Sequence, residues 1–128
     1  MILKIILIAL GFGITVFIHE LGHYIMARMA GVRVEVFSIG FGPRIFTFLE
    51  REGTKYILSL IPLGGYVKML GQDDLPSKQK KPVTEDHYLA KTPLQRMGII
   101  CAGVVMNSIL AYVLMIAALW IGVYFIAP

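Results

Sequence analysis

"VFIHELGHYIMAR", residues 16–28, sets two histidines and a glutamate at the end of a run that is otherwise apolar. Met1 to Ile18 carries a single charge, Lys4. A helix rises about 1.5 Å per residue, and roughly 20 residues cross a hydrocarbon layer of about 30 Å. Residues 1–18 fall short of that span, so a membrane helix is complete only if it continues through the histidines to about Arg28. The stretch that decides the fold is then also the stretch that holds the ionisable groups. His19 lies nine residues before Arg28, about 14 Å along a helix axis. An ionisable side chain at that depth costs about 2.5–3.5 kcal/mol or more unless it is compensated, which marks such residues as functional.

Outward from this stretch the chain keeps a membrane composition. Of its 128 residues 57% are hydrophobic and 16% charged, against roughly half apolar and a quarter charged in soluble domains. A second run, Gly98 to Ala127, holds no charge over 30 residues. The region from Arg28 to Arg96 holds 11 of the 12 Lys and Arg residues and seven of the eight acids, a surplus of four cations. Lys and Arg next to membrane spans mark the cytoplasmic side. Arg28 and Arg96 flank the runs, so residues 28–96 are expected in the cytoplasm and both termini outside it. The sequence pI near 9.3 then reflects topology and headgroup contact. No basic groove interleaved with aromatics suggests nucleic acid. The lone Cys101 excludes a disulfide framework and is expected to be packed and inert. A secretory signal peptide is the rival for the first run, but His-Glu stands where a small-residue cleavage site belongs.

Within the middle region, "VRVEVFSI" alternates, and "RIFTFLE" and "TKYILSLI" are separated by "REG", a hairpin turn. Gly40, Gly42 and Pro43 are expected to break the chain after the first strand, and Pro62, Gly64 and Gly65 before "YVKML". Three or four short antiparallel strands are predicted. A charged, proline-bearing loop follows, with His87 read as solvated. The fold class is a membrane protein, mainly α. Transmembrane helices at 1–30 and 97–128 flank a membrane-associated antiparallel β-hairpin sheet (31–71) on the cytoplasmic side and a charged loop (72–96). Gly11, Gly13 and Gly22 are candidate close-packing points on the first helix. Trp120, Tyr124 and Phe125 suit an aromatic belt at the outer interface.

His19 and His23, four apart on a helix, point to one side, one turn from each other, so both can reach one ion. Glu20 is rotated about 100° from His19 and can miss the ion yet reach a water beside it. This is the H-E-x-x-H pattern of zinc hydrolases, with histidine ligands for Zn2+ and a glutamate general base. The competing reading is a buried polar trio that hydrogen-bonds between helices.

"HELGHYIMAR", "GFGP", "IPLGGYVKM" and "PLQRMGIICAGVVMNSILA" together resemble the N-terminal half of the site-2 protease family of intramembrane zinc metalloproteases, most of all its bacterial regulator-of-sigma-E group. The resemblance implies zinc on His19 and His23 and Glu20 as catalytic base. It also implies a hairpin that dips into the membrane, with Gly40, Phe41 and Gly42 touching substrate, and Asn107 as the second-span asparagine that handles substrate. Taken singly, those glycines equally suit tight turns and Asn107 suits helix–helix contact. Val104 stands where the family usually carries proline. Implied partners are the lipid bilayer and a single-span membrane substrate such as an anti-sigma factor, in a bacterial inner membrane. The family takes its third zinc ligand from an aspartate in a later span. Asp73 and Asp74 are poor substitutes in a solvated stretch, so a C-terminal half is expected to supply that ligand. The alternatives are a non-catalytic truncated module that binds substrate helices or a partner, and a metal-transporting or metal-sensing helix pair.

Overall fold

A computed structural model describes residues 1–72 and 83–122. Helix α1 spans Ile2–Met29, strand β1 Val34–Arg51, strand β2 Thr54–Met69 and helix α2 Pro93–Ile121, with a 3-10 turn at Tyr88–Ala90 ahead of α2. Tyr124, Phe125, Asp73 and Asp74 lie outside the described residues. Trp120, in the last turn of α2, is almost fully exposed.

α1 carries no proline and runs without a break through the histidines, as the length argument requires. It stops at Ala30, whose N–H reaches the Met26 carbonyl, while the Gly31 N–H reaches that of Arg28; Gly31 has φ +71, a left-handed exit that glycine accepts without strain. α2 starts inside the stretch assigned above to the charged loop because its cap is local. The Thr92 hydroxyl accepts from the Gln95 N–H at 3.3 Å and the Gln95 side chain accepts from the Thr92 N–H at 3.1 Å, with Pro93 in the first turn. That is a capping box closed by an N1 proline. α2 passes straight through Val104 and ends at Gly122, φ +77. Both helices are long and apolar enough to cross a membrane, and most of their large apolar side chains are exposed.

The sheet differs from the expectation of several short strands. Glycine and proline bend the two strands without ending them. β1 and β2 form one long antiparallel hairpin, with register from Val34↔Met69 through Phe41↔Ile61 to Arg51↔Thr54. Its tip is the expected turn: Glu52 and Gly53 have φ of +52 and +79, the two positive values of a type I′ turn. The hairpin is then folded double at Gly40–Gly42 and Leu63–Gly65. Val36, Phe37, Ser38 and Ile39 each take a second partner, Lys55, Tyr56, Ile57 and Leu58. Two strands thereby make four rows, in the order 65–69, 34–39, 54–59 and 44–51. Buried hydroxyls stitch the fold: Ser38 and Ser59 lie 2.8 Å apart, and Thr54 donates to the Val34 carbonyl at 2.8 Å.

Two stripes of α1 are covered. Gly13, Phe17, Tyr24 and Ala27 fall on one side by helical spacing, and His19, Gly22, His23 and Met26 on a side about 130° away. The first stripe takes the hairpin. The Phe37 ring stands edge-on to Phe17 (5.8 Å) and to Tyr24 (5.1 Å), and the Tyr24 and Tyr56 hydroxyls are hydrogen-bonded at 2.6 Å. Arg28 pairs with Glu52 at the hairpin tip, and that hydrogen bond, with the charge behind it, holds the Glu52 carboxyl below its ordinary value. At the other end the bend reaches Gly13, where a Cβ would come within 3.2 Å of the Gly64 nitrogen. From Gly13 to Arg28 is about 22 Å of helix, so the hairpin lies along most of α1. The second stripe takes α2: a Cβ on Gly22 would lie 2.5 Å from the Ala102 carbonyl oxygen, a small-residue crossing. Gly11 meets nothing within 4 Å and is no packing point here.

Ala27, Val32, Val34, Met69 and Ile99 form the buried core where the two helices meet the hairpin base. Segment 84–88 folds back on that base, with the Arg33 N–H on the Asp86 carbonyl and the Tyr88 N–H on the Leu70 carbonyl, both 2.9 Å. A hydrogen bond from Thr84 and the charge of Arg33 lower the Asp86 carboxyl's affinity for a proton. His87 is thereby buried and not solvated: its ring lies against Gly71, and its Nδ1 accepts from the Leu89 N–H. Cys101 is exposed on α2 and not packed, because the covered face of that helix runs through Ile99 and Gly103.

Gly64 sits at φ +88, with the space for a Cβ already taken by Phe41 and Val16 at 2.8 Å. Gly64→Ala should cost about 1–3 kcal/mol from backbone strain alone, with the contact adding to it. The expected result is a lower Tm or faster proteolysis of the membrane-embedded protein. An unchanged Tm would mean that the bend is not held.

Candidate metal centre

The centre forms where the two covered stripes of α1 meet. His19 and His23 face α2, Glu20 lies toward the hairpin, and the ligand atoms of all three lie within 4.8 Å of one another. The imidazoles are stacked edge to face, 4.7 Å between centroids, as i and i+4 side chains on one helix must be. All three are part-buried.

α2 decides which nitrogens are free. The His23 Nδ1 lies 2.7 Å from the Ile99 carbonyl oxygen. A carbonyl only accepts, so His23 carries its proton on Nδ1 and leaves Nε2 bare. One turn on, a Cβ at Gly103 would stand 2.5 Å from the His19 Nε2 and 2.6 Å from the His23 Nε2. The missing side chain of Gly103 is therefore the space both Nε2 atoms point into. One turn further, the Asn107 amide nitrogen lies 3.2 Å from the His19 Nδ1. Ile99, Gly103 and Asn107, each four residues from the next, make one stripe that serves the His19–His23 stripe opposite. Two imidazoles whose Nε2 atoms converge on a side-chain-free gap suit a divalent metal such as zinc. The donor set fits.

A cavity of about 400 Å³ opens beside this gap. Glu20 and His23 line it with Tyr66, Val67 and Met69 of β2, Tyr88, and Ile99 and Ile100 of α2. The row 65–69 pairs with 34–39 on one side and brings Tyr66, Val67 and Met69 to this cavity.

Of the residues picked from sequence, His19, Glu20, His23 and Asn107 come together. Gly40, Phe41 and Gly42 do not line the cavity. They sit at the bend, Gly40 against Ile61 and Phe41 against Gly64, level with Gly13 and Val16 of α1. Sequence reasoning missed the Ile99 carbonyl and the vacancy at Gly103. The spacing of four along α2, which matches that of the histidines, is the signal that could have found both.

Comparison with known proteins agrees with this geometry. Peptidase family M50 matches residues 7–126. A Helicobacter pylori protein designated a zinc metalloprotease is 47% identical over 97 residues, covering 75% of this chain and 27% of that protein. Protease RseP of Yersinia pestis is 44% identical over 122 residues, 95% of this chain and 26% of its own length. The regulator of sigma-E protease RseP of Salmonella typhimurium is 51% identical over 106 residues, 82% and 22% respectively. The chain thus spans about a quarter of the length of these relatives. Zinc, expected from the paired histidines, agrees with the name of the first, and the two apolar helices agree with a bacterial membrane protein. With nearly the whole chain matched and the H-E-x-x-H turn built as a metal cradle, the chain belongs to peptidase family M50.

Proposed function

We propose that the chain is the metal-binding part of an intramembrane zinc endopeptidase that cleaves single-span membrane proteins, anti-sigma factors being the expected class. One observation carries this reading: both histidines have Nδ1 engaged by α2 and Nε2 directed at the gap left by Gly103. His19 and His23 hold the zinc, and a C-terminal part of the protein supplies the third protein ligand that a catalytic zinc needs. The metal contributes Lewis acidity, enough to bring the pKa of a water toward about 7 and to polarise a carbonyl. Glu20 would take the proton of the attacking water as its oxygen adds to the peptide carbon, and return it to the leaving nitrogen as the C–N bond breaks.

A helical substrate presents no free backbone, so it must unwind before it is cut. The edge 65–69 answers that need by accepting the unwound segment as an added strand beside Glu20, pairing polar groups that lipid cannot. Gly40, Phe41 and Gly42 serve substrate at the bend that holds this edge at depth. The excess of Lys and Arg supports an orientation with residues 28–96 on the cytoplasmic side of a bacterial inner membrane and the termini outside.

The test is elemental analysis of the purified full-length protein alongside cleavage of a single-span substrate in proteoliposomes. About one zinc per chain, lost with His19→Ala together with cleavage, is expected. Wild-type protein without zinc overturns the assignment. If such protein still co-purifies with substrate, it is a non-catalytic binding module.

A further inference from the structure

We infer that Asn107 is a positioning residue for the metal: its carboxamide oxygen accepts the Nδ1 proton of His19 and so fixes that ring with Nε2 bare toward the Gly103 gap. The inference deepens the zinc reading above and rests on it.

Two observations lead here. The Asn107 amide reaches the His19 Nδ1 at 3.2 Å across the helix interface, and its Oδ1 is buried without a hydrogen-bond partner. A carboxamide has an accepting end and a donating end, and a half-turn exchanges them. With the nitrogen on Nδ1, the imidazole must carry its proton on Nε2, pointing into the gap where it would repel a cation. With the oxygen on Nδ1, the proton sits on Nδ1 and Nε2 is free to ligate. A metal held through Nε2 selects the second arrangement. Histidine ligands ordinarily donate their other ring N–H to a carbonyl or carboxylate in this way. His23 already does so, to the Ile99 carbonyl at 2.7 Å.

The two rings are thus treated alike from one stripe of α2. Backbone oxygen at Ile99 and side-chain oxygen at Asn107 stand one turn to either side of Gly103. His19 needs a side chain because α2 offers it no carbonyl: in the last contact of the stripe the atom facing the ring belongs to Asn107 itself. The exchange leaves the Asn107 amide nitrogen, with two N–H donors, as the end without a partner. A substrate carbonyl oxygen could accept from it, which agrees with a substrate-handling role for the same residue.

The experiment uses full-length protein and measures zinc affinity by chelator competition for Asn107→Asp, Asn107→Leu and wild type. Asn107→Asp keeps an oxygen for the Nδ1 proton and should hold zinc within about threefold of wild type. Asn107→Leu removes the acceptor and should weaken zinc about 10–100-fold, the usual cost of losing such a partner. Long-range 15N correlation of the zinc-loaded protein should show the His19 proton on Nδ1 in wild type and Asn107→Asp. Wild-type affinity in Asn107→Leu overturns the inference, as does equal loss in both variants or a proton on Nε2. If Asn107→Leu does not fold, the aspartate variant and the wild-type spectrum still decide. Wild-type protein that binds no zinc would instead sink the metal reading itself.

Discussion

Glu20→Gln in the full-length protein should retain its zinc and lose cleavage by about 10³-fold, within the range that a positioned general base contributes. The two halves of that result test different things. Retained zinc follows from the helix: Glu20 lies about 100° around α1 from His19, toward the hairpin, while both imidazoles face the gap at Gly103. The side chain is near enough to serve the metal's surroundings, since its carboxylate lies within 4.8 Å of the imidazole nitrogens. Glutamine keeps the shape and hydrogen-bonding reach but cannot take a proton. Cleavage within about tenfold of wild type would remove Glu20 from the base role. Loss of zinc would make it a ligand.

Gly103→Ala should be as severe by a different route. One methyl group would stand 2.5 Å from the His19 Nε2 and 2.6 Å from the His23 Nε2, occupying the position both nitrogens converge on. Relief by moving α2 outward would open the close crossing at the next residue, where a Cβ on Gly22 would lie 2.5 Å from the Ala102 carbonyl oxygen. The rings must therefore turn away, and a ligand set displaced by an ångström no longer grips an ion. Zinc affinity should fall about 100-fold or more, at least matching the loss of an outer-sphere partner. Gly98→Ala is the control: its Cβ would meet only the terminal methyl of Met26 at 2.8 Å, the movable end of a flexible side chain, and should leave affinity unchanged. Equal effects of the two substitutions would reduce the cradle to ordinary helix packing.

How far these features can be read from the chain depends on the range of the interactions behind them. α1 was legible to within a residue or so of its end because length, charge and the histidine pattern agree within a single helix. The tip at Glu52–Gly53 was legible because a two-residue turn needs only its own backbone. The rows of the sheet were legible as strands; that they join into two continuous ones was not. Gly40, Gly42, Pro62 and Gly64 look like strand ends locally, but in a hairpin folded double they are bends, and only pairing between 36–39 and 55–58 distinguishes the two. His87 looked solvated among charges, yet the return of segment 84–88 to the hairpin base buries it. The two histidines and Glu20 were visible as a motif. What makes them a cradle, the Ile99 carbonyl and the vacancy at Gly103, lies about 80 residues away in sequence and exists only once α2 is seated.

The doubled hairpin also constrains how the molecule is made. Its base at Val34 and Met69 and its tip at Glu52 all lie near the Arg28 end of α1, while its bend lies beside Gly13. Both ends therefore enter and leave on the same side, and the segment cannot be passed through a bilayer as a helix is. Unpaired peptide groups cost several kcal/mol each in hydrocarbon, so a hairpin that entered the bilayer would have to keep its ladder closed. Phe17 and Tyr24 of α1 give it an aromatic rail through Phe37, and the metal cradle needs α2 seated as well.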